Sequence, residues 1–292
     1  MLSINLVVKV NMPQISVITP VFNSVQFIEL CILNVIAQKC NDLEHIIVDG
    51  GSIDGTVDVI REYAKKYSHI QWVSEKDEGQ SNAMNKGINM AKGEYISFLN
   101  SDDYYSDGVL NDVLDIISKK DAPAFIVGNC NVFDDKQQLI YVNKPKKVTP
   151  WHLLSGTYLP VNPSAYFYKK NIHDIVGMYN ENNHYNMDIE FLIQVSLVIP
   201  ISYLNKNWGN FRLLPHTKTG SDIEKNVLEK RKQELFSKYI DTVSLGIKMK
   251  IVSAKLYKKS NTYFYKIKKI IFLPFDMIYW KAIKIINTKK LN

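Results

Sequence analysis

From Ile15 onward the apolar residues of the chain switch between two spacings. ISVITPV (15–21), HIIVDGG (45–51), IQWVSE (70–75) and EYISFLN (94–100) are short runs rich in β-branched residues and predict strands. Between them, residues 24–38, 56–67 and 80–92 space their apolar positions at helical intervals, with Phe27, Leu30, Cys31 and Val35 roughly on one side of the first. Strand and helix in strict alternation predict an α/β fold, a mostly parallel central sheet flanked by helices on both faces. Ligands of such sheets sit beyond the carboxyl ends of the strands. The segments Thr19–Asn23, Asp49–Gly55, Glu75–Gln80 and Asn100–Asp103 all leave strand ends on that edge, so four polar clusters converge.

After about residue 121 the pattern loosens. PAFIVGNCNVF and QLIYVNK predict strands around the turn at 134–137, PSAYFYKK another strand, and MDIEFLIQVSL (187–197) a helix. NWGNFRLLPHTKTGSD (207–222) is polar and punctuated by Gly and Pro, which predicts a long functional loop. The organisation expected is an extension over 1–13, a domain over 14–222 with halves at 14–120 and 121–222, and a helical tail over 223–292. The opening MLSINLVVKVNMPQ is interrupted by Lys9 and Asn11 and lacks a small-residue cleavage site, so it does not read as a signal peptide, and Met12 is a second candidate start. No run approaches the roughly 18 apolar residues of a spanning helix. Cys31, Cys40 and Cys130 are odd in number and lack CxxC spacing. They read as packing residues in a reducing compartment, with no disulfide framework and no zinc site.

Charge is unevenly spread. Residues 247–292 hold twelve Lys and one Asp, so the net +7 of the chain hides a basic tail on a mildly acidic body. In that tail Lys alternates with Ile, Leu, Phe, Tyr and Trp, and the longest apolar run is broken by Pro274 and Asp276. An interfacial helix pair on an anionic membrane surface is expected. The competing reading is a helical hairpin packed on the domain or on a second subunit of a homo-oligomer. Nucleic acid is not an expected partner, because the aromatic residues sit among aliphatic ones and not on a polar sheet face.

The polar clusters narrow the chemistry. DGGSIDGT invites a dinucleotide reading, but Ser52 stands where GxGxxG needs its second Gly. No GxxxxGK[ST] occurs either, so phosphate would depend on an ion and a few side chains. Asp49, at a strand end, can accept from a nucleobase imide. EKDEGQSNAMNKG reads by itself as a capped helix start, with Asp77 and Glu78 complementing the dipole. Hard ions such as Mg²⁺ or Mn²⁺ take one or two carboxylates plus substrate phosphate oxygens, and Asp102 of LNSDDYY would place such an ion to neutralise a leaving diphosphate. That logic suits nucleotide-sugar chemistry better than phosphoryl transfer.

The series ISVITPVFNS, HIIVDGGSIDGT, EKDEGQSNAMNKG, GEYISFLNSDD and HYNMDIEF resembles the family 2 glycosyltransferases, over roughly residues 14–220. The resemblance is to the bacterial type that builds cell-surface polysaccharide. It implies a GT-A fold with a Rossmann-like nucleotide-binding half, and an inverting hexosyltransferase using Mn²⁺ or Mg²⁺. The implied donor is a nucleotide sugar, UDP favoured, and the implied acceptor a hydroxyl of a glycan or a lipid-linked glycan. A cytoplasmic protein, peripheral on the inner membrane face, follows. Residue by residue, Thr19, Pro20 and Asn23 match the strand end that holds base and ribose, and Asp49 the acid that reads the base, with Gly51 and Ser52 in its turn. Asp77, Gly79, Gln80, Asn85 and Lys86 fall in the segment lining the donor pocket. Asn100, Ser101 and Asp102 match the DxD motif with Asp102 as metal ligand, and Asp103 the adjoining acid that positions the donor. His216 and Lys218 fall in a segment that closes over the diphosphate.

Asp188 matches the catalytic base. Glu190 is the other candidate, but residues two apart on a helix point about 200° apart, so only one can face the site. Three departures from the family pattern stand out: Asn100 replaces the first acid of DxD, Asn82 stands where Asp is frequent, and Asn162 where His is frequent. The first two motivate an alternative, a nucleotide-sugar binding or scaffold protein that keeps the fold with weakened catalysis.

Overall fold

The structure is a computed structural model that describes residues 12–257 apart from 216 and 226. Most of the 1–13 extension, His216 and the tail beyond 257 therefore lie outside the described residues. The first half follows the alternating pattern: β1 (Ile15–Val21), α1 (Val25–Ala37), β2 (Leu43–Asp49), α2 (Thr56–Lys66), β3 (Ile70–Ser74), α3 (Gln80–Met90) and β4 (Tyr95–Phe98). Their strands are all parallel in the order β3-β2-β1-β4, with Val21 beside Asp49 and Asp49 beside Ser74. Four carboxyl ends thus share one edge, as the apolar pattern requires.

Alternation along β1 decides what each face carries. Ile15, Val17 and Val21 pack with Cys31 and Val35 of α1 or with Ile28 and Ile32, whereas Ile18 packs with Met84 and Ile88 of α3. At Gly87 helix and sheet approach so closely that a Cβ would collide with the Ile18 side chain. Burial of the apolar residues on these faces, at ~25 cal/mol per Å², is what pins the edge in place.

The second half is more mixed than expected. β5 (Tyr104–Tyr105), α4 (Val109–Ile117), β6 (Phe125–Phe133), β7 (Leu139–Asn143), α5 (Pro150–Ser155), β8 (Tyr166–Lys169), α6 (His173–Val176), α7 (Met187–Val198), β9 (Ser202–Arg212), α8 (Lys218–Glu224) and α9 (Leu228–Ile240) follow. β8 joins the sheet antiparallel to β4, β6 is antiparallel to β8, and β9 is parallel to β6. The sheet is therefore wholly parallel in its N-terminal half and mixed beyond it. The expected loop over 207–222 is corrected: its first part completes β9 and its last part opens α8. Polar β9 residues are satisfied across the sheet, since Asn129 and Asn131 Nδ2 donate to Asn207 and Asn210 Oδ1 at 2.9 and 2.8 Å. The tail begins on the body. Leu235 and Phe236 of α9, then Val243 and Ile251, are buried against the core that holds α5 and α7.

Candidate active site

Where the parallel strands end, a cleft of about 590 Å³ opens. Pro20, Asp77, Gly79, Gln80, Asn100, Ser101 and Asp102 line it from the first half, and Asn162, His184, Tyr185, Asp188 and Lys218 from the second. Nine of the residues predicted from the sequence are thereby brought together. His184 and Tyr185 open the HYNMDIEF motif that carries Asp188 but were not singled out as site residues. Their signal was position alone: a polar stretch just before a helix that brings an acid to the site.

The turn after β4 separates two neighbouring acids. Asp102 lines the cleft, while Asp103 is buried and points inward. Its Oδ2 accepts from Asn162 Nδ2 at 2.7 Å and Asn100 Nδ2 at 2.9 Å, and its Oδ1 from the Arg212 backbone N–H at 3.1 Å. Burial and the Asp102 charge push this carboxyl up, and the three donors oppose that rise. Asp103, expected to help position the donor, is a hub that fixes the turn from beneath. Asn100 uses both ends of its amide, donating to Asp103 while its Oδ1 accepts from Gln80 Nε2 at 3.1 Å. A carboxylate at that position would have no N–H for Asp103. Ser101 Oγ meets Ser24 Oγ at 2.8 Å, which ties the turn to the start of α1.

A metal would find a sparse donor set. Among the described residues no group of three His, Cys, Asp or Glu could hold one. Asp102 supplies one hard oxygen donor at the cleft, which fits Mg²⁺ or Mn²⁺ only as an ion shared with diphosphate oxygens and water.

Several residues expected at the donor do not line the cleft. Asp49 has no exposure: its Oδ2 accepts from Gly51 N, Ser52 N and Ser74 Oγ at 3.0, 3.0 and 2.7 Å, and its Oδ1 from Ser52 Oγ at 2.5 Å. It shapes the glycine turn and does not line the cleft. Ser52 Oγ accepts from Asn23 N at 2.7 Å and Asn23 Oδ1 from Ile53 N at 3.1 Å, so Asn23, Gly51 and Ser52 lock the β1 and β2 ends together. Thr19 shares the α1 face with Ile15 and Val17 by strand alternation; it is buried, with Oγ1 2.9 Å from His45 Nε2. Asn85 donates to Tyr179 O and Glu181 Oε1, and Asn82 to Glu181 Oε2, so both clamp the 179–181 segment onto α3. Lys86 pairs with Glu75 at 2.8 Å, and none of these three lines the cleft.

The two acids of α7 divide as their 200° separation demands. Asp188 lines the cleft, its Oδ1 withdrawn from water without a hydrogen-bond partner. Burial pushes its carboxyl up to about 6, opposed by the Lys218 charge. The Lys218 ammonium is itself pushed down by burial, against the pull of Tyr185, Asp188 and Asp77. Glu190 lies away from the cleft, accepting from Lys238 Nζ at 2.8 Å, Tyr239 Oη at 2.9 Å and Asn183 Nδ2 at 2.7 Å. Lys218 is held on α8 by a tight turn, in which Thr217 Oγ1 caps the helix by accepting from Gly220 N at 3.2 Å.

A parallel nucleotide-type half, a mixed second half and an acidic turn at the fourth strand end define a glycosyltransferase domain of the GT-A fold. Residues 16–180, more than half of the chain, match the sequence model described as Glycosyl transferase family 2, and the chain belongs to that family. An uncharacterized glycosyltransferase of Rickettsia felis is 28% identical over 205 residues, covering 65% of this chain and 33% of the relative. The chain spans about a third of the length of such relatives. Among solved structures, S. aureus TarS 1–349 in complex with UDP is similar at TM-score 0.62 and 19% identity, over 83% of this chain and 70% of that one. The mannosyltransferase PcManGT of Pyrobaculum calidifontis, in complex with GDP-Man and Mn²⁺, is similar at TM-score 0.52 and 15% identity, over 86% and 83%. The resemblance read from the sequence holds for family and fold.

Proposed function

We propose that this domain is an inverting glycosyltransferase. It moves a sugar from a nucleoside-diphosphate sugar, UDP favoured, to a hydroxyl of a glycan or lipid-linked acceptor in surface polysaccharide synthesis. The observation that carries the reading is that one cleft holds both the Asp102 carboxylate and a partly buried Asp188 whose proton affinity is raised toward neutrality. In a single displacement the acceptor oxygen bonds to the anomeric carbon as the bond from that carbon to the diphosphate oxygen breaks. Asp188 takes the hydroxyl proton, and its raised affinity suits it to do so near neutral pH. Lys218, on the same cleft, places a positive charge where the diphosphate departs. Mn²⁺ or Mg²⁺ held by Asp102 supplies further neutralisation when bound. The enzyme reading is favoured over the weakened-scaffold alternative because Asn100 donates to Asp103 and accepts from Gln80 as only an amide can, and Asn82 lies outside the cleft.

Asp102→Ala is expected to lower transfer by about 10²-fold or more and to remove its response to added Mn²⁺. Assays of nucleoside diphosphate release with and without chelator check this. Full wild-type activity in chelator would end the metal assignment.

The basic tail is read as resting on the anionic inner face of the membrane. On the helical residues 245–257, Ile247 and Ile251 pack on the body, whereas Leu245, Met249, Val252 and Leu256 are exposed among Lys248, Lys250 and Lys255. No helix among the described residues is long and apolar enough to cross a membrane. Vesicles containing anionic lipid are expected to sediment the full chain but not a variant with the exposed apolar residues of 245–257 and the lysines of 247–292 changed to Ser and Gln. Equal sedimentation of both would overturn the reading.

A further inference from the structure

We propose that Asp77, and not Asp49, is the carboxylate that reads the donor's nucleobase, so that the cleft selects bases presenting an imide N–H. This rests on the nucleotide-sugar reading above and assigns a residue and a base class to that same site.

The argument starts at Gly50. Its backbone N–H donates to Val21 O at 2.9 Å, which places it where β1 and β2 end together. A Cβ built there would lie 2.5 Å from Asp77 Oδ2 and 2.9 Å from its Cγ. The Asp77 carboxyl group therefore fills the space that a side chain at position 50 would take. Gly50 is not among the positive-φ glycines, so its backbone does not demand glycine; a larger residue there would have to move the Asp77 carboxyl.

Asp77 is also held ready for a ligand. Its Oδ1 accepts from Gly79 N at 2.9 Å, its Oδ2 accepts no hydrogen bond among the described residues, and it lines the cleft beside Pro20, Val21 and the exposed Phe22 ring. Asp49 offers the contrast. Both its oxygens are engaged by four donors and it is sealed from the cleft, so reading a base would require dismantling its own turn.

A carboxylate only accepts. Uracil and thymine at N3, and guanine at N1, present an N–H to it. Cytosine N3 and adenine N1 present a lone pair, and setting two acceptors against each other in a partly dehydrated cleft costs about tenfold or more in affinity.

Calorimetric binding of UDP, TDP, GDP, CDP and ADP to the full chain, in the presence of Mn²⁺, tests this. The wild type is expected to bind at least one imide nucleotide about tenfold or more tighter than CDP and ADP. Asp77→Asn keeps an acceptor for Gly79 N but adds an N–H, so the preference should collapse to about threefold or less. Gly50→Ala, whose Cβ displaces the Asp77 carboxyl, should lose it too, which guards against a folding artefact in either variant. Retained preference in Asp77→Asn, or a collapse confined to Asp49→Asn, overturns the assignment while leaving the glycosyltransferase reading intact. A wild type that binds nucleotides without base preference also overturns it alone. A wild type that binds no nucleoside diphosphate overturns both.

Discussion

Asp188→Asn is expected to abolish sugar transfer, by roughly 10³-fold or more, while sparing donor binding and raising thermal stability. The same environment drives both effects. Asp188 Oδ1 is shut away from water without a partner, and the carboxyl rises from its ordinary 3.8 to about 6. A general base must be unprotonated, so activity should fall about tenfold per pH unit below about 6 and level off above it. For stability the sign is opposite to that of a salt-bridged acid. The folded state binds this proton more tightly than the unfolded chain, so stability falls as pH rises from 3.8 to about 6 and stays lowered above. The cost of holding the charge is on the order of 3 kcal/mol at neutral pH, and Asn removes it. A melting temperature several degrees higher at pH 8, together with lost transfer and unchanged nucleoside diphosphate affinity, is the expected set of results. Full activity in the variant, or a flat activity profile between pH 5 and 8, would reject Asp188 as the base.

Asp103→Ala should be the most destabilising single change at the site. It removes the acceptor for Asn162 Nδ2, Asn100 Nδ2 and Arg212 N together. Each buried donor left unmatched costs about 1–3 kcal/mol, so a loss of roughly 3–5 kcal/mol is expected even if one partner finds water. Asp103→Asn should fall between: its oxygen can serve two of the donors, but its NH₂ then faces the third. Urea unfolding of the three proteins measures the order. The consequence for activity is indirect, since Asn100 and the turn that presents Asp102 both lean on Asp103. A loss below about 1 kcal/mol in Asp103→Ala would show that the hub is not structurally important.

Much of the site was legible because its signals are local. Short β-branched runs between helical spacings give a parallel half, and parallel strands bring four polar ends to one edge. The 200° between Asp188 and Glu190 follows from helix geometry, and the structure divides them accordingly. β9 was not legible, because its polar residues are satisfied by Asn129 and Asn131 of a distant strand and leave no alternating apolar signal. α4, with Val109, Leu110, Val113 and Ile117 buried, has clear helical spacing that went unread behind the acidic turn.

What the sequence alone determined is the family, the order of the first elements and the edge at which chemistry gathers, because hydrophobic period and strand direction are properties of the local chain. Only the tertiary structure decided which acids meet the cleft. Asp102 and Asp103 are adjacent and look equivalent in sequence, yet one lines the cleft while the other is drawn inward by Asn162 and Arg212, contributed by segments far along the chain. Asp49 and Asp77 both leave strand ends, yet Asp49 is sealed by its own turn while the Asp77 carboxyl fills the space a side chain at Gly50 would take. A carboxylate's direction depends on the nearest donors and the nearest empty space, and both were set by residues remote in sequence.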